Sequence, residues 1–196
     1  MYTGVSVDEK LQARLDQILP LITREEFLRS EGRGNEIGFH IFEYPPAEEL
    51  MVRQHVDFMV ERIKKHYGLK VVNVNLFELI VNHLKDRNLL DRSITLEQTK
   101  GPKELQRALK APLKAENAIK LFVEYAKPQD VDLVFMTGIG NAWPLLRAHT
   151  LLNNLQTVMG DTPLITFYPG RFDGQHVQLF GKLQSNPYYR AFRLVP

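Results

Sequence analysis

The segment Thr137-Gly-Ile-Gly-Asn-Ala-Trp143 contains residue types that could bind a phosphate, because glycines let backbone N–H groups approach an anion where a helix begins. The dinucleotide-binding fingerprint needs a third small residue after its two glycines, and Trp143 occupies that place. The Walker A loop needs Gly-Lys-Ser/Thr, and no lysine lies between Lys127 and Lys182. The pattern therefore favours a tight strand-to-helix turn with positive φ at a glycine. Phosphate binding by residues 137–141 with Arg171 stays as an alternative.

Other catalytic patterns are missing from the sequence. The chain has no cysteine, so thiol nucleophiles and thiolate metal sites are excluded. Its histidines lack the spacing of a zinc site, and none of its serines lies in Gly-x-Ser-x-Gly. The acid pairs Glu25-Glu26 and Glu48-Glu49 are expected at helix starts, where acids stabilise the helix dipole. We therefore expect a protein without enzymatic activity, cofactor or bound metal.

Four residues are candidates for partner binding. They are aromatic and arginine residues that follow the predicted carboxyl ends of strands, where open α/β sheets place their binding crevice: Trp143, Arg147, Arg171 and Phe172. Protein interfaces concentrate binding energy in such side chains. The alternative is that Trp143 and Phe172 only pack the loops that carry them.

Residues 147–156 are unusual because they contain one formal charge and many neutral hydrogen-bonding groups. A helix face in contact with solvent usually carries Lys and Glu. The composition therefore predicts a polar helix face buried against another surface, either of this chain or of a partner protein.

Hydrophobic periodicity predicts strands that alternate with helices, and hence an α/β fold with a doubly wound, mostly parallel sheet flanked by helices. This architecture is P-loop- or Rossmann-like without a nucleotide motif. The strands are predicted at 36–43, 69–75, 131–137 and 164–168, with 131–137 in the centre of the sheet. The main helices are predicted at 7–29 with an interruption at Pro20, at 47–67, at 76–88, within 91–127, and from Pro144 to Met159.

The 196 residues are expected to form a single α/β domain, 1–196. It would comprise an N-terminal helical segment at 1–30, a helical insertion at 91–127 and C-terminal edge strands at 177–196, the last forming a hairpin. Pro169-Gly170 is expected to end the strand before it. The sequence contains no apolar run of about 20 residues and no recognisable leader, which predicts a cytoplasmic protein without a membrane span.

Net charge is +2, but it is unevenly distributed. Residues 98–127 have seven bases and three acids, and residues 170–196 have four bases and one acid. These segments make a DNA-contacting subunit a further alternative. A recognisable nucleic-acid-binding motif is missing, so direct nucleic-acid binding is disfavoured.

Six sequence blocks follow one another from residue 34 to residue 196, at 34–46, 74–79, 133–140, 145–155, 167–174 and 188–196. In these blocks and in their order the chain resembles the BrxB family of bacterial phage-exclusion (BREX) defence systems. The resemblance implies a non-catalytic adaptor or scaffold that binds the phosphatase-like protein PglZ, with the ATPase BrxC and other BREX proteins as further partners. The family provides no catalytic residue that could be assigned to this sequence.

Overall fold

A central, mostly parallel β-sheet lies between two layers of helices in the computed structural model, which describes residues 7–29, 38–184 and 191–196. The strands are β1 (Phe39–Tyr44), β2 (Val71–Asn75), β3 (Leu133–Thr137), β4 (Leu164–Phe172), β5 (Val177–Leu179), β6 (Leu183–Gln184) and β7 (Phe192–Arg193). The helices are α1 (Val7–Ile22), α2 (Glu25–Leu28), α3 (Glu49–Arg62), α4 (Leu76–Asp86), α5 (Leu90–Lys100), α6 (Pro102–Leu109), α7 (Ala115–Ala126), α8 (Ile139–Ala142) and α9 (Ala148–Leu155).

The strand order in the main sheet is β2-β3-β4-β1-β7, and every pair along this path is parallel. Two short strands extend the sheet through β4, since β5 pairs antiparallel with β4 and β6 pairs antiparallel with β5. The connection from β1 to β2 runs through α3 and passes over β4 and β3. The carboxyl ends of β1, β2 and β3 therefore lie at one edge of the sheet, beside the starts of α3 and α4.

Side chains of the strands alternate between two hydrophobic clusters, as the two-residue period of a strand requires. In β3, Val134 and Met136 pack in the cluster formed with α4 to α9, whereas Leu133 and Phe135 pack in the cluster formed with α1 to α3. All four side chains are buried, so β3 lies in the interior of the sheet. The predicted α/β class, the mostly parallel sheet and the central position of 131–137 are confirmed.

Several predicted helices also have the expected limits. The helix predicted at 47–67 begins with a 3-10 turn at Pro46–Glu48, continues through α3 and ends in a π-helical turn at Ile63–Tyr67. Gly68 follows it with φ +65°, a conformation that glycine adopts without steric cost. The region 91–127 is divided into α5, α6 and α7, with breaks near Gly101-Pro102 and Pro112, where glycine and proline predict them.

The helix predicted from Pro144 to Met159 is present only in part, because α9 covers Ala148–Leu155. Instead, α8 ends at Ala142, Trp143 is extended, and α9 begins only at Ala148. The end of α8 has a steric reason, because the residue before a proline is disfavoured in the α-helical region. The chain therefore leaves the helical conformation at Trp143 and forms a loop before α9.

The strand end predicted at Pro169-Gly170 is wrong, since β4 continues to Phe172. Pro169 is the last β4 residue paired with β1, and Gly170 is the first paired with β5. The missing N–H of proline thus falls where the strand changes partner. At Gly170 a Cβ atom would lie 2.1 Å from the Gln178 carbonyl oxygen, so only glycine permits this close approach.

Two further predictions need correction. The C-terminal strands do not form a hairpin with each other, because β5 pairs with β4 and β6 while β7 pairs in parallel with β1. Pro20 does not interrupt the first helix, which continues to Ile22. Pro20 lies on an exposed face, so water can reach the carbonyl group that loses its helical donor. The turn predicted at 31–35 lies outside the described residues.

The neutral polar face of α9 is exposed at two of its residues. Asn153 and Asn154 are exposed, and Asn154 Nδ2 donates to the Thr150 carbonyl oxygen at 2.7 Å. The buried face of α9 consists of Leu151, Leu152 and Leu155. No helix in the described part of the chain combines the length and the apolar character that a membrane span requires.

Candidate partner-binding surface

The first part of the site is a crevice at the carboxyl edge of the sheet, with a cavity of about 150 Å³ between α3 and the ends of β2 and β3. Its polar side chains bind one another. The Tyr44 hydroxyl donates to Glu49 Oε2 at 2.6 Å, and the Thr137 hydroxyl donates to Asn73 Oδ1 at 2.9 Å. Burial and the neighbouring Glu49 carboxylate raise the pKa of Tyr44, so its hydroxyl stays protonated and acts as a donor.

The glycine turn after β3 is part of this crevice. Gly138 has φ +69°, and a Cβ atom there would lie 2.0 Å from Asn75 Oδ1. Asn75 Oδ1 in turn accepts hydrogen bonds from the backbone N–H groups of Phe77 and Glu78, which caps α4. The predicted positive φ at a glycine is therefore confirmed, and Gly138 is needed for close packing against a helix cap.

The charges of the crevice are unfavourable for a phosphate. It is lined by the carboxylates of Glu49, Asp57 and Glu78 and by one cation, Arg53. The three carboxylates repel a phosphate, because both groups are negatively charged. The alternative of a phosphate cradle at residues 137–141 thus has electrostatics against it.

The second part of the site is the extension of β4 beyond β1, together with β5 and the turn at Phe180. The Trp143 and Phe180 rings pack edge to face, with centroids 6.2 Å apart and an angle of 89° between their planes. A Cβ atom at Gly181 would lie 3.9 Å from the Arg171 guanidinium nitrogen Nε. Phe180 and Gly181 therefore connect Trp143 and Arg171, two residues that the sequence analysis proposed, into one surface.

The other two predicted residues have different positions. Phe172 is 3% exposed and packs in the hydrophobic cluster with α4 to α9. Its side chain therefore has a packing role, which was the alternative to partner binding. Arg147 is exposed before the start of α9, and its guanidinium makes no hydrogen bond or ion pair with any described residue. Trp143 is 41% exposed despite its contact with Phe180, so much of its ring remains accessible.

An ion-pair cluster that sequence analysis missed lies beside this surface. Glu43 Oε1 is 2.9 Å from Arg193 Nε and 3.5 Å from an Arg14 guanidinium nitrogen. Glu43 Oε2 is buried and has no hydrogen-bond partner among the described residues. The only sequence indication was an acid within the apolar strand Phe39–Tyr44, which requires a cationic partner when it is buried.

Comparison with known proteins gives the family. The model of the BREX protein BrxB matches residues 72–194. A BREX protein BrxB from Bacillus cereus is 39% identical over 188 residues, which cover 95% of this chain and 98% of the relative. A BREX protein BrxB from Escherichia coli is 40% identical over 190 residues, which cover 97% of this chain and 94% of the relative. The chain belongs to the BrxB family.

This membership makes the chain a component of a BREX phage-defence system. The part matched by the BrxB model includes Trp143, Arg171 and Phe180, but it begins after Arg14 and Glu43. No solved structure matches the chain.

Proposed function

We propose that this BrxB-family chain is a non-catalytic adaptor that binds PglZ and connects it to the ATPase BrxC and other proteins of its BREX system. The observation that supports this proposal is an exposed tryptophan and an exposed arginine, Trp143 and Arg171, which both lie near the Phe180–Gly181 turn. Tryptophan and arginine are enriched among the residues that dominate binding energy at protein interfaces.

The local structure is suited to an anchor of this kind. Trp143 lies between two short helices and packs one ring edge against Phe180, which limits the entropy that the side chain loses on binding.

The test is co-purification of PglZ with the tagged chain, in wild-type form and with Trp143→Ala. We expect Trp143→Ala to weaken PglZ binding by about tenfold or more, as truncation of an interface anchor does. Tyr125→Ala is the matched control, because Tyr125 is also an exposed aromatic residue, at 54%, but lies on α7.

Equal loss of PglZ in both variants, or in neither, would contradict the assignment of this surface. Absence of PglZ and BrxC from the wild-type eluate would contradict the adaptor function itself. The melting temperatures of both variants show whether each remains folded.

A further inference from the structure

Two adjoining clefts lie on either side of the Arg171 side chain, where β4 extends beyond β1. Their volumes are about 420 and 460 Å³, and both are lined by Glu43 and Arg171. The first is also lined by Arg193 and Asp173, and the second by Arg14 and Lys182. These two cavities are called the Arg171 clefts below. Each is within the usual size range of protein binding pockets, roughly 300–1,000 Å³.

The charge of the Arg171 clefts is positive. Four cations, Arg14, Arg171, Lys182 and Arg193, face two carboxylates, those of Glu43 and Asp173. The Glu43 carboxylate is neutralised within the cluster, because it contacts two guanidinium groups. Asp173 accepts hydrogen bonds from the backbone N–H groups of Gln175 and His176, and so its charge stabilises its own turn.

The four cationic side chains differ in whether they already have hydrogen-bond or ion-pair partners. The Arg14 guanidinium donates to the carbonyl oxygens of Glu43, Val195 and Pro196, and Arg193 donates to the Phe172 carbonyl oxygen in addition to its ion pair. The side chains of Arg171 and Lys182 are exposed and have no hydrogen-bond or ion-pair partner among the described residues. Two cations are thus available to a ligand, at a concave surface whose remaining charges are already bound.

We propose that the Arg171 clefts bind an extended acidic segment of a partner protein, with carboxylates that pair with Arg171 and Lys182. This inference rests on the proposed adaptor function and gives the chemistry of the partner at that site. Because the clefts lie on both sides of one side chain, a linear segment can place successive side chains in each of them. Phe180 lines the second cleft, and its ring packs against the Trp143 ring. Phe180 therefore provides an apolar wall beside the cations.

A peptide suits these clefts better than a nucleic acid. Single-stranded nucleic acid binds through a groove of cations that follows its backbone and through aromatic faces that stack on bases. Here the cations share the clefts with Glu43 and Asp173, and the Trp143 and Phe180 rings pack against each other. An acidic peptide can place its few carboxylates at the two free cations and leave other positions neutral.

The test uses the full chain and fluorescein-labelled octaglutamate, followed by fluorescence anisotropy. We expect octaglutamate to bind with an affinity that falls as salt concentration rises, and octaglutamine of equal length not to bind. Arg171→Glu with Lys182→Glu should weaken octaglutamate binding by about tenfold or more, because attraction becomes repulsion at both positions.

The control variant is Lys64→Glu with Lys103→Glu, which changes net charge by the same amount at exposed positions on other elements. We expect it to change octaglutamate binding by less than about twofold, since distant surface charges are screened. Circular dichroism confirms the fold of each variant. If the charge reversal unfolds the chain, Arg171→Gln with Lys182→Gln replaces it, with the same direction of effect expected.

Octaglutamate binding that is equally weakened by both double variants, or by neither, would overturn the proposal. So would an eight-nucleotide oligothymidylate that binds more tightly than octaglutamate and is lost in the Arg171 and Lys182 variant. If octaglutamate behaves as expected while the wild-type chain retains neither PglZ nor BrxC, the acidic-ligand clefts stand and the adaptor function fails.

Discussion

Charged side chains at the edge of the sheet are held by partners from distant parts of the sequence. Arg14 from α1 lies over the Phe42 ring, with its Cζ atom 4.7 Å from the ring centroid. Its guanidinium also donates hydrogen bonds to the carbonyl oxygens of Val195 and Pro196. The Glu43 carboxylate pairs with the guanidinium groups of both Arg14 and Arg193. The cluster therefore joins α1, β1 and the segment after β7, and it fixes one wall of the Arg171 clefts.

His40 is a buried polar residue of a different kind. It is 6% exposed and packs against Phe27 and Phe192, with ring centroids 4.6 and 6.3 Å from its own. Burial lowers the pKa of His40 to about 4 from 6.5, because an apolar site disfavours the charged imidazolium. The folded chain thus holds a neutral histidine at neutral pH.

This pKa predicts a loss of stability in acid. Between pH 6.5 and about 4 the unfolded chain binds a proton at His40 that the folded chain does not, so the free energy of unfolding falls as pH falls. The contribution of His40 to this loss is roughly 3 kcal/mol by pH 4 and absent above pH 7. Urea denaturation of wild type and His40→Gln across this range measures it. The stability difference between the two proteins should change by that amount, and parallel curves would show that His40 is not responsible.

At the scale of the elements, hydrophobic patterning predicted the fold well where one conformation continues along a whole segment. The strand at 131–137 was predicted from a continuous apolar run, which is buried in the clusters on both faces of the sheet. The helix at 47–67 was predicted from its helical periodicity, and its buried residues lie in one cluster. The prediction failed at Pro144 and at Pro169-Gly170. In both places a proline lies within a segment whose conformation or pairing partner changes, and such changes depend on tertiary contacts.

The candidate surface was predicted in part for the same reason. Trp143 and Arg171 were selected because they follow predicted strands, although Arg171 lies within β4. Phe180 and Lys182 were missed because β5 was assigned to a hairpin with the C-terminal strand. The Glu43 cluster joins three segments that are far apart in the chain. Sequence spacing alone carries no information about such contacts.

The turn at Gly138 gives a prediction at this scale. Gly138→Ala should lower the free energy of unfolding by about 2–3 kcal/mol, because it adds a strained positive φ and displaces the Asn75 cap of α4. Gly160→Ala is the matched control, since Gly160 also has positive φ, +60°, but a Cβ atom there would contact nothing within 4 Å. We expect about 1 kcal/mol for the control. Equal losses in thermal or urea denaturation would contradict the role of the Asn75 contact.

At the scale of the whole molecule, the cavity beside α3 and the Arg171 clefts differ in charge. The cavity beside α3 is lined by more carboxylates than cations, whereas the Arg171 clefts are lined by more cations than carboxylates. Separate charged regions of opposite sign allow one small protein to attract partners of different charge at different places. An adaptor that holds two larger proteins would use such a distribution.

The proposed function of this BrxB-family chain is to connect PglZ to BrxC. The most direct measurement immobilises PglZ and determines how much BrxC is retained with and without the purified chain. We expect BrxC to be retained when the wild-type chain is present. Much less BrxC should be retained when the chain is absent or carries Trp143→Ala, whereas the Tyr125→Ala chain should behave as wild type. Equal retention of BrxC with and without the chain would contradict it.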